Sequence, residues 1–556
     1  MGRQQPKEST AAVFSQVGGA CQCLLLSIHT QDHKLTGADL SCVGNFPEML
    51  KVDQSCPVEL HPEFAARRHV TAFVDNDFLG RSAGVLLPVI NPATELQVSE
   101  VEEADAAMVD RAVRAARAAF SHGPWPRMEV AERQAILRRV AALIRENARE
   151  LAYLECLNSG IPMRHLALGQ IPRAALNFEF FAEFIGQSAG QVYTQDSRYL
   201  AIVTREPVGV AALIGPWNAP LALISMKIAG CIAFGNCCVA KPAEHTPLAV
   251  ARVMELIAAA GMPPGVVNMV CGRGAVTGDA LIRHEEIDLV SFTGGTRTGR
   301  AVMAAAGAGL KPCSLELGGK SANIVFASAD FERALDGALL GIFSNNGQQC
   351  LAGSRILVER TIARDFMDAF VARAKALKIG DPMDPATDVG PLAFRAHFER
   401  VLAFVDVARA DGAQLLVGGA RAAGFERGFY MQPTAVLAAD NRSRICQEEV
   451  FGPFATFVTF DDVEQAIAIA NDSRFGLVSY VWSEHMQTAL RCGRAIRSGV
   501  VWVNTPMVRE LRAPFGGVKD SGMGREGGHS SMQFYTVEKN TTIPVVTVPM
   551  ARLGVR

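Results

Sequence analysis

The feature that most constrains the fold of this chain is a repeated alternation of short apolar runs with longer helical stretches. Strands buried on both faces of a parallel sheet have this pattern, because helices cover both faces of such a sheet. Two series of runs occur, at residues 208–214, 238–240, 266–270, 289–292 and 323–326, and then at 356–358, 455–460, 479–482 and 500–503. We therefore predict an α/β protein with two such domains, for which 556 residues are ample.

The composition excludes several classes of partner. Lys and Arg number 54 against 56 Asp and Glu, so a net charge of −2 favours neither nucleic acid nor an anionic membrane. Lys227 and Gly235 interrupt the longest apolar stretch, residues 220–240, which argues against a membrane span. No secretory signal follows Met1, and the 13 cysteines lack metal-ligand or disulfide spacing. We predict a cytoplasmic protein with reduced thiols, no metal, no nucleic acid and no membrane.

Residues 1–65 differ from the rest because they lack sustained helical or strand periodicity. We interpret them as a poorly ordered extension, or as a misassigned start with Met49 as a plausible true start. Beyond about residue 102, long amphipathic helices are indicated, since residues 108–119 carry apolar side chains at helical spacing.

The segment FSNNGQQC, residues 343–350, ends in a candidate nucleophile, Cys350. A turn rich in Gly and amides lets a side chain project from a loop, where backbone N–H groups can stabilise an oxyanion. The thiolate is the reactive form, so such a site must lower the thiol pKa or supply a base. Taken alone, a buried and inert thiol is the better interpretation.

Two further polar residues stand where they suit that chemistry. Glu316, in LELGGK of residues 315–320, lies between apolar residues before a Gly-Gly turn, which suits a general base of raised pKa. Asn218 follows the apolar run 208–214, and its amide can donate to an oxyanion there. Taken singly, a solvated helix-end glutamate and a turn asparagine are the ordinary alternatives.

Together these segments resemble the active-site motifs of the aldehyde dehydrogenase superfamily, and the similarity runs from about residue 66 to the end of the chain. The segments around Cys350, Glu316 and Asn218 are similar to the nucleophile, glutamate and oxyanion-asparagine motifs of that family, at separations ordinary for it. Other strings of the family follow in order, namely KPAE at 241–244, FTGGT at 292–296, EVFGP at 449–453 and PFGG at 514–517.

The resemblance implies an aldehyde dehydrogenase-like α/β fold with a Rossmann-type NAD(P)-binding domain, an α/β catalytic domain and a bridging β-arm that joins subunits. The expected bounds are 66–190 and 208–317 for the NAD(P)-binding domain, 318–530 for the catalytic domain, and 191–207 and 531–549 for the arm. A homodimer or homotetramer is expected.

The resemblance also implies a mechanism on a small-molecule aldehyde. Cys350 attacks the carbonyl carbon, while the Asn218 amide and the Cys350 backbone N–H hold the oxyanion. Hydride then leaves for the nicotinamide and a thioester remains. Glu316 activates the water that releases the carboxylic acid.

NAD is the cofactor that the resemblance implies, with NADP possible. Lys241 and Glu244 are expected at the adenosine ribose, where the Glu244 carboxylate repels a 2′-phosphate and Lys241 softens that preference. Residues 292–299 are expected to cap a helix whose N-terminus faces the pyrophosphate. The turn at 272–274 lacks the full G-x-G-x-x-G pattern and is weak alone. The predicted cofactor-binding residues are Ile214, Trp217, Lys241, Glu244, Gly274, Phe292, Thr293, Gly294, Gly295, Leu317, Glu449 and Phe451.

Two segments, 170–178 and 504–512, are similar to the hydroxymuconate and carboxymethyl-hydroxymuconate semialdehyde dehydrogenases. Residues 343–347, 352–355 and 543–554 favour the carboxymethyl branch, whereas Gln349 departs from both. Those enzymes act in bacterial catabolism of aromatic acids, on aldehydes that also carry carboxylates. Because an arginine fork grips a carboxylate, we predict Arg173 and Arg509 as anchors, with Arg512 as a substitute for the second. Structural ion pairs are the alternative.

Three other functions compete with a carboxylated-semialdehyde dehydrogenase. A broad-specificity enzyme for neutral aliphatic or aromatic aldehydes would use the arginines otherwise. A non-catalytic relative should lack the nucleophile, base or oxyanion donor, and all three are present. A CoA-acylating enzyme is disfavoured because Glu316, which would activate water, is retained.

Overall fold

The computed structural model describes residues 67–554. The predictions for residues 1–65, including a start at Met49, lie outside the described residues. None of the helices in the described part combines the length and the apolar content that a membrane crossing needs.

The described chain begins with five short strands and a group of helices, and strands then mostly alternate with helices. The strands are β1 (His69–Val70), β2 (Phe73–Val74), β3 (Asp77–Phe78), β4 (Leu86–Ile90), β5 (Gln97–Glu102), β6 (Gln191–Tyr193), β7 (Tyr199–Pro207), β8 (Val210–Ile214), β9 (Cys237–Lys241), β10 (Val267–Met269), β11 (Leu289–Thr293), β12 (Cys313–Glu316), β13 (Ala322–Val325), β14 (Arg355–Glu359), β15 (Gln414–Val417), β16 (Thr434–Leu437), β17 (Phe454–Phe460), β18 (Val478–Trp482), β19 (Val500–Val503), β20 (Gly522–Met523) and β21 (Thr536–Pro544).

The helices are α1 (Ala106–Ser121), α2 (Val130–Glu146), α3 (Ala148–Ser159), α4 (Met163–His165), α5 (Ile171–Phe184), α6 (Pro220–Ala233), α7 (Leu248–Ala259), α8 (Asp279–Arg283), α9 (Thr296–Ala308), α10 (Phe331–Phe343), α11 (Ala363–Ala376), α12 (Arg395–Ala410), α13 (Arg444–Gln447), α14 (Val463–Asn471), α15 (Met486–Ala495) and α16 (Gly528–Tyr535). A π-helical turn, Leu166–Gln170, leads directly into α5, and a second, Gly274–Gly278, leads into α8.

The first sheet has eight strands in the order β20-β12-β11-β8-β9-β10-β2-β3. Its five central strands, β12 to β10 in that order, run parallel. Every residue of β8, β9 and β11 is buried. Because successive side chains of a strand point to opposite faces, both faces of this sheet are covered, which confirms the predicted parallel sheet.

The second sheet has seven strands in the order β15-β16-β17-β14-β13-β18-β19. All of its neighbours pair in parallel except β15 and β16. The predicted α/β class with two parallel sheets is therefore confirmed.

A small antiparallel sheet, the arm sheet, consists of β21, β7 and β6. Strand β21 pairs with β7 along nine residues, from Thr536 opposite Pro207 to Pro544 opposite Tyr199. All side chains of β6, and all of β21 after Thr536, are exposed. The domain bounds expected from the sequence, and a role of this sheet between subunits, stay predictions.

Candidate active site

The carboxyl ends of the central strands bring several predicted residues to one edge of the first sheet. Ile214, the last residue of β8, pairs in register with Lys241 on β9 and with Phe292 on β11. Thr293 is in register with Glu316, the last residue of β12. Ligands of open α/β sheets bind outside this end of the strands. The predicted cofactor residues Ile214, Lys241 and Phe292 and the predicted base Glu316 thus lie side by side at the carboxyl edge of the sheet.

Helix α9 begins at this edge with an open N-terminus. Gly295 precedes its first residue and provides no side-chain cap, so the first backbone N–H groups of the helix stay available. A Cβ atom on Gly295 or on Gly274 would meet no heavy atom within 4 Å. Thr293 Oγ1 is buried with no hydrogen-bond partner among residues 67–554. The positive N-terminal end of the helix thus lies beside open space and near a hydroxyl group that has no partner. This arrangement is suited to an anionic group such as a pyrophosphate.

Gly294 and Leu317 hold α9 against the strands. The Gly294 N–H donates to the carbonyl of Glu316 at 3.0 Å. The Leu317 side chain lies so close to Gly299 of α9 that a Cβ atom on this glycine would overlap it. These contacts set the position of the open helix end relative to Glu316.

Lys241 and Glu244 form a polar pair at the end of β9. Lys241 is 3% exposed, and its Nζ lies 3.7 Å from Glu244 Oε2 and donates to the Pro242 carbonyl at 3.3 Å. Burial lowers the pKa of Lys241. An ammonium donor and a carboxylate acceptor, side by side at the sheet edge, are suited to bind the hydroxyls of a ribose.

Cys350 follows a strained turn. Asn345, Asn346 and Gly347 have φ values of 54°, 57° and 71°, in the left-handed region that asparagine tolerates and glycine favours. A Cβ atom on Gly347 would overlap the backbone of Gly452. The Asn346 amide Nδ2 donates to the carbonyls of Gly160 and Pro391, both at 2.9 Å, and its Oδ1 accepts from the Gly390 N–H at 2.7 Å. The surrounding segments therefore stabilise a costly backbone conformation, as is common at functional sites.

The thiol of Cys350 is free and partly exposed. Burial, together with the carboxylates of Glu449 and Glu316, raises its pKa to about 12, against the opposing effect of the backbone N–H groups of Cys350 and Leu351. The thiol, both carboxyl groups and two backbone donors therefore lie within electrostatic reach of one another. Before the sulfur can act as a nucleophile, a base has to take the thiol proton, or the surroundings have to change so that the thiol pKa falls.

Glu316 is a buried carboxyl group without hydrogen-bond partners. It is 5% exposed, and neither carboxyl oxygen has a partner in the described part of the chain. Burial raises its pKa well above the ordinary value, and the Glu526 carboxylate adds to the rise, while Lys227 and Arg509 oppose it. A carboxyl group in this setting accepts a proton readily.

Asn218 lies 7% exposed between the end of β8 and the start of α6. Its Nδ2 donates at 2.9 Å to the carbonyl of Gln348, two residues before Cys350. The second N–H of the same amide remains free to donate. The structure thus brings the three predicted catalytic groups together, although they come from three separate segments.

Glu449 lies against the Gly-Gly turn that follows Glu316, and Phe451 is two residues further along the chain. Glu449 Oε1 accepts from the Gly319 N–H at 2.8 Å, and burial raises the pKa of Glu449 to about 7. Phe451 has φ 65°, and its ring meets that of Trp217 edge to face at 5.2 Å. Of the predicted cofactor-binding residues, Glu449 thus contacts the turn after Glu316, and Phe451 packs on Trp217.

Arg173 and Arg509 are cations without a carboxylate partner. Among the described residues, neither has a carboxylate oxygen within the 4.0 Å of an ion pair. Arg173 Nε donates to Asn177 Oδ1 at 2.9 Å, and the Arg509 guanidinium lies 4.0 Å above the ring of Phe515. Burial and the charge of Arg509 lower the pKa of Arg173 to about 10. The carboxylate of Glu526 lies within electrostatic reach of both arginines but forms no ion pair with either. Two partly buried cations that repel each other are suited to bind an anion.

Arg512, the predicted substitute, lies elsewhere. It is exposed and pairs with Glu510, with 2.9 Å between Nη2 and Oε2. Arg512 thus forms a structural ion pair, the alternative considered for these arginines. Arg509 instead lies close enough to Glu316 and Cys350 for their charges to affect its pKa.

Sequence reasoning missed two sets of neighbours. Lys227 of α6 is 1% exposed and donates to Glu526 at 2.8 Å and to Ser291 at 2.9 Å. The signal was present, because a lysine inside a wholly apolar helix needs a buried partner. His397 Nε2 donates to the backbone carbonyl of Phe451 at 2.8 Å, and the centroid of its ring lies 4.8 Å from that of Trp217. No local pattern indicates that contact.

Comparisons with known proteins identify a family, related sequences and similar structures. A model of the aldehyde dehydrogenase family matches residues 80–541. The chain is 44% identical to 5-carboxymethyl-2-hydroxymuconate semialdehyde dehydrogenase of Escherichia coli over 79% of this chain and 93% of that protein. It is 40% identical to 2-hydroxymuconic semialdehyde dehydrogenase of Pseudomonas sp. (strain CF600), over 86% and 99%. The NAD+ complex of an aldehyde dehydrogenase from Bacillus cereus superposes with a TM-score of 0.86 at 38% identity, covering 88% of this chain and all of that one.

Proposed function

The chain belongs to the aldehyde dehydrogenase family, and from that premise we propose that it oxidises a carboxylate-bearing semialdehyde to the acid, with Cys350 as nucleophile and NAD as cofactor. The relatives at 44% and 40% identity are semialdehyde dehydrogenases by name. The proposed substrate is of the 5-carboxymethyl-2-hydroxymuconate semialdehyde type.

Covalent capture of the aldehyde begins at Cys350. The thiol gives its proton to solvent water, the sulfur forms a bond to the carbonyl carbon, and the carbonyl oxygen becomes an oxyanion. The free N–H of the Asn218 amide and the backbone N–H of Cys350 donate to that oxyanion. Capture turns an aldehyde, a poor hydride donor, into an alkoxide, a good one. Bound NAD supplies the two-electron acceptor, so that the carbon is left as a thioester on Cys350.

Release of the acid is assigned to Glu316. Its carboxylate takes a proton from water, the oxygen attacks the thioester carbon, and the carbon–sulfur bond breaks to return the thiol. The raised pKa of Glu316 makes it a stronger base than an exposed glutamate. Both of its oxygens are buried and accept no hydrogen bond from the described chain, so no protein donor competes with a water molecule brought in with the substrate.

The residues that would hold NAD lie along the edge of the first sheet. The open N-terminus of α9, with Thr293, Gly294 and Gly295, suits the pyrophosphate. Lys241 and Glu244 would bind the adenosine ribose, and Glu449 with Phe451 the nicotinamide ribose. Glu244 favours NAD over NADP because a carboxylate repels a 2′-phosphate, and the buried Lys241 permits some use of NADP.

The observation that carries the substrate class is the pair of arginines. Arg173 and Arg509 have no carboxylate partner in the described chain, yet Arg509 is close enough to Glu316 and Cys350 for their charges to affect its pKa. A substrate carboxylate would receive charge-assisted hydrogen bonds there while its aldehyde faces the thiol.

A panel of aldehydes tests the substrate class. Steady-state NADH and NADPH formation is measured with a linear ω-carboxy aldehyde and with its methyl ester, which has the same chain but no charge. We expect kcat/KM for the acid to exceed that for the ester by about tenfold or more, and Arg509→Ala to raise KM for the acid alone. The matched control is Arg512→Ala, which should change neither. Equal kcat/KM values would instead support a broad-specificity enzyme, and no NADH formation would support a non-catalytic relative.

We further infer a homodimer or homotetramer in the cytoplasm. The arm sheet exposes Val192, Val537 and Ile543, and β6 leaves one strand edge unpaired, a surface suited to a second copy. The nine described cysteines are all free thiols, as expected in a reducing compartment. Light scattering during gel filtration tests the oligomer, and a monomer would contradict it.

A further inference from the structure

Asn345 lies at the junction of three segments that the proposed reaction requires. Its Nδ2 donates to the carbonyl of Asn218 at 2.8 Å and to the carbonyl of Gln348 at 2.9 Å. Its Oδ1 accepts from Gln170 Nε2 at 2.8 Å. The side chain is 9% exposed. Both of its N–H groups and one oxygen lone pair are therefore used, so the amide has one orientation.

The carbonyl of Gln348 connects Asn345 to the oxyanion donor. It accepts from Asn345 and from the side chain of Asn218, each at 2.9 Å. Asn345 thus donates directly to the backbone of Asn218. The side chains of Asn345 and Asn218 also donate to the same acceptor, the carbonyl of Gln348, two residues before Cys350. A movement of Asn345 would change where the free N–H of Asn218 points relative to the sulfur.

Gln170 connects Asn345 to the arginine side of the site. It ends the π-helical turn Leu166–Gln170, and α5, which carries Arg173, starts at the next residue. Gln170 and Arg173 line the same cavity, of about 420 Å³. Single π-helical turns are frequent at functional sites. Gln170 and Arg173 therefore stand three residues apart on one helical segment, which connects their positions.

We propose that Gln170 and Asn345 are positioning residues that align Asn218 with Cys350 and make this alignment respond to a carboxylate at Arg173. The inference rests on the proposed function. Part of the energy of carboxylate binding is then used to speed formation of the oxyanion rather than to hold the substrate. Carboxylated aldehydes are distinguished by kcat as well as by KM.

Two variants test the two steps separately. Asn345→Asp keeps a residue that tolerates the left-handed conformation and keeps an acceptor for Gln170, but it cannot donate to the two carbonyls. Gln170→Met keeps the size of the side chain and removes its link to Asn345. Leu176→Met, which lines the same cavity without a polar contact, is the matched control. Single-turnover NADH formation and KM are measured with the ω-carboxy aldehyde and its methyl ester, and protection from thermal unfolding by NAD verifies that each variant is folded.

We expect Asn345→Asp to slow the single turnover of both aldehydes by about tenfold to a hundredfold with KM unchanged, since a misplaced oxyanion donor costs rate. Gln170→Met should slow the acid by about tenfold and leave the ester within about twofold, with KM again unchanged. The control should match the wild type.

Equal slowing of acid and ester by Gln170→Met, or a change in KM alone, would overturn the coupling to the carboxylate. An unchanged rate in Asn345→Asp would overturn the positioning role. If the wild type itself does not prefer the acid, the proposed substrate class and the coupling both fail. The Asn345→Asp rate with the ester then still decides whether Asn345 positions Asn218.

Discussion

Replacing Glu316 with Gln should separate the two halves of the reaction. The two side chains have nearly the same shape, and neither oxygen of Glu316 has a hydrogen-bond partner in the described chain, so no native hydrogen bond is lost. An amide cannot take a proton from water, and loss of a positioned general base slows a reaction by about 10²–10⁴-fold. The Glu316 carboxylate also raises the pKa of Cys350. Its removal should therefore leave formation of the thioester as fast as in the wild type or faster.

The pH dependence should change in the same variant. Burial and the Glu526 carboxylate raise the pKa of Glu316, so its basic form gains population only as the pH rises through that raised value. Hydrolysis of the thioester by the wild type should accelerate with pH over this range. In Glu316→Gln the residual rate should lose this acceleration.

Stopped-flow absorbance of NADH measures both halves in one experiment. We expect a burst of one NADH per active site, then a steady state slowed by about 10²–10⁴-fold, with the acyl-enzyme visible by mass spectrometry. Glu155→Gln is the matched control, because Glu155 is also fully buried with a pKa raised to about 8, and Gln can still accept from the Leu221 N–H. A first turnover slowed as much as the steady state would refute the assignment of Glu316 to thioester hydrolysis.

Three further predictions concern Cys350, Glu449 and Gly299. Cys350→Ala should abolish NADH formation while NAD still raises the thermal unfolding temperature, and near-native NADH formation would contradict the covalent mechanism. The pKa of Glu449 rises from 4.5 to about 7, so its ionisation destabilises the folded chain as the pH rises through that range, by at most about 3 kcal/mol. Glu449→Gln should therefore gain stability relative to the wild type as the pH rises from 4.5 to about 7, measured by urea unfolding. A difference that stays constant with pH would argue against the shift. Gly299→Ala should cost about 1–3 kcal/mol through overlap with Leu317, and the added change Leu317→Ala should remove that penalty, whereas additive losses would show that the two residues do not clash.

Most central strands of both sheets are predictable because burial on both faces makes their residues predominantly apolar, as in VAALI of β8. Strand β12 is not predictable in this way, because its four residues, CSLE, include two polar ones. Only its pairing with β11 reveals that Glu316 ends a strand at the edge where Ile214 and Phe292 also lie. The polar residues around Glu316 thus interrupt the apolar pattern by which the neighbouring strands are identified.

Motif strings indicate which residues belong to the site, but they carry no information on the partners of each residue. Lys227 and Glu526 are separated by 299 positions and Gln170 and Asn345 by 175, and neither pair has a local signature. Such contacts follow from the packing of helices and turns on the sheets, so they need coordinates. The same holds for the unpaired state of Arg173, which no sequence pattern distinguishes from a structural ion pair.

The pairing of β21 with β7 affects how the chain is made. Arg205 of β7 and Thr536 of β21 are bonded partners 331 positions apart, so at about 5–20 residues per second a ribosome needs roughly 20–60 s to supply the second strand after the first. During that interval one edge of β7 has no native neighbour, and an open edge invites pairing with other chains. Premature termination before residue 536 should therefore yield aggregates even though every catalytic residue has already been translated.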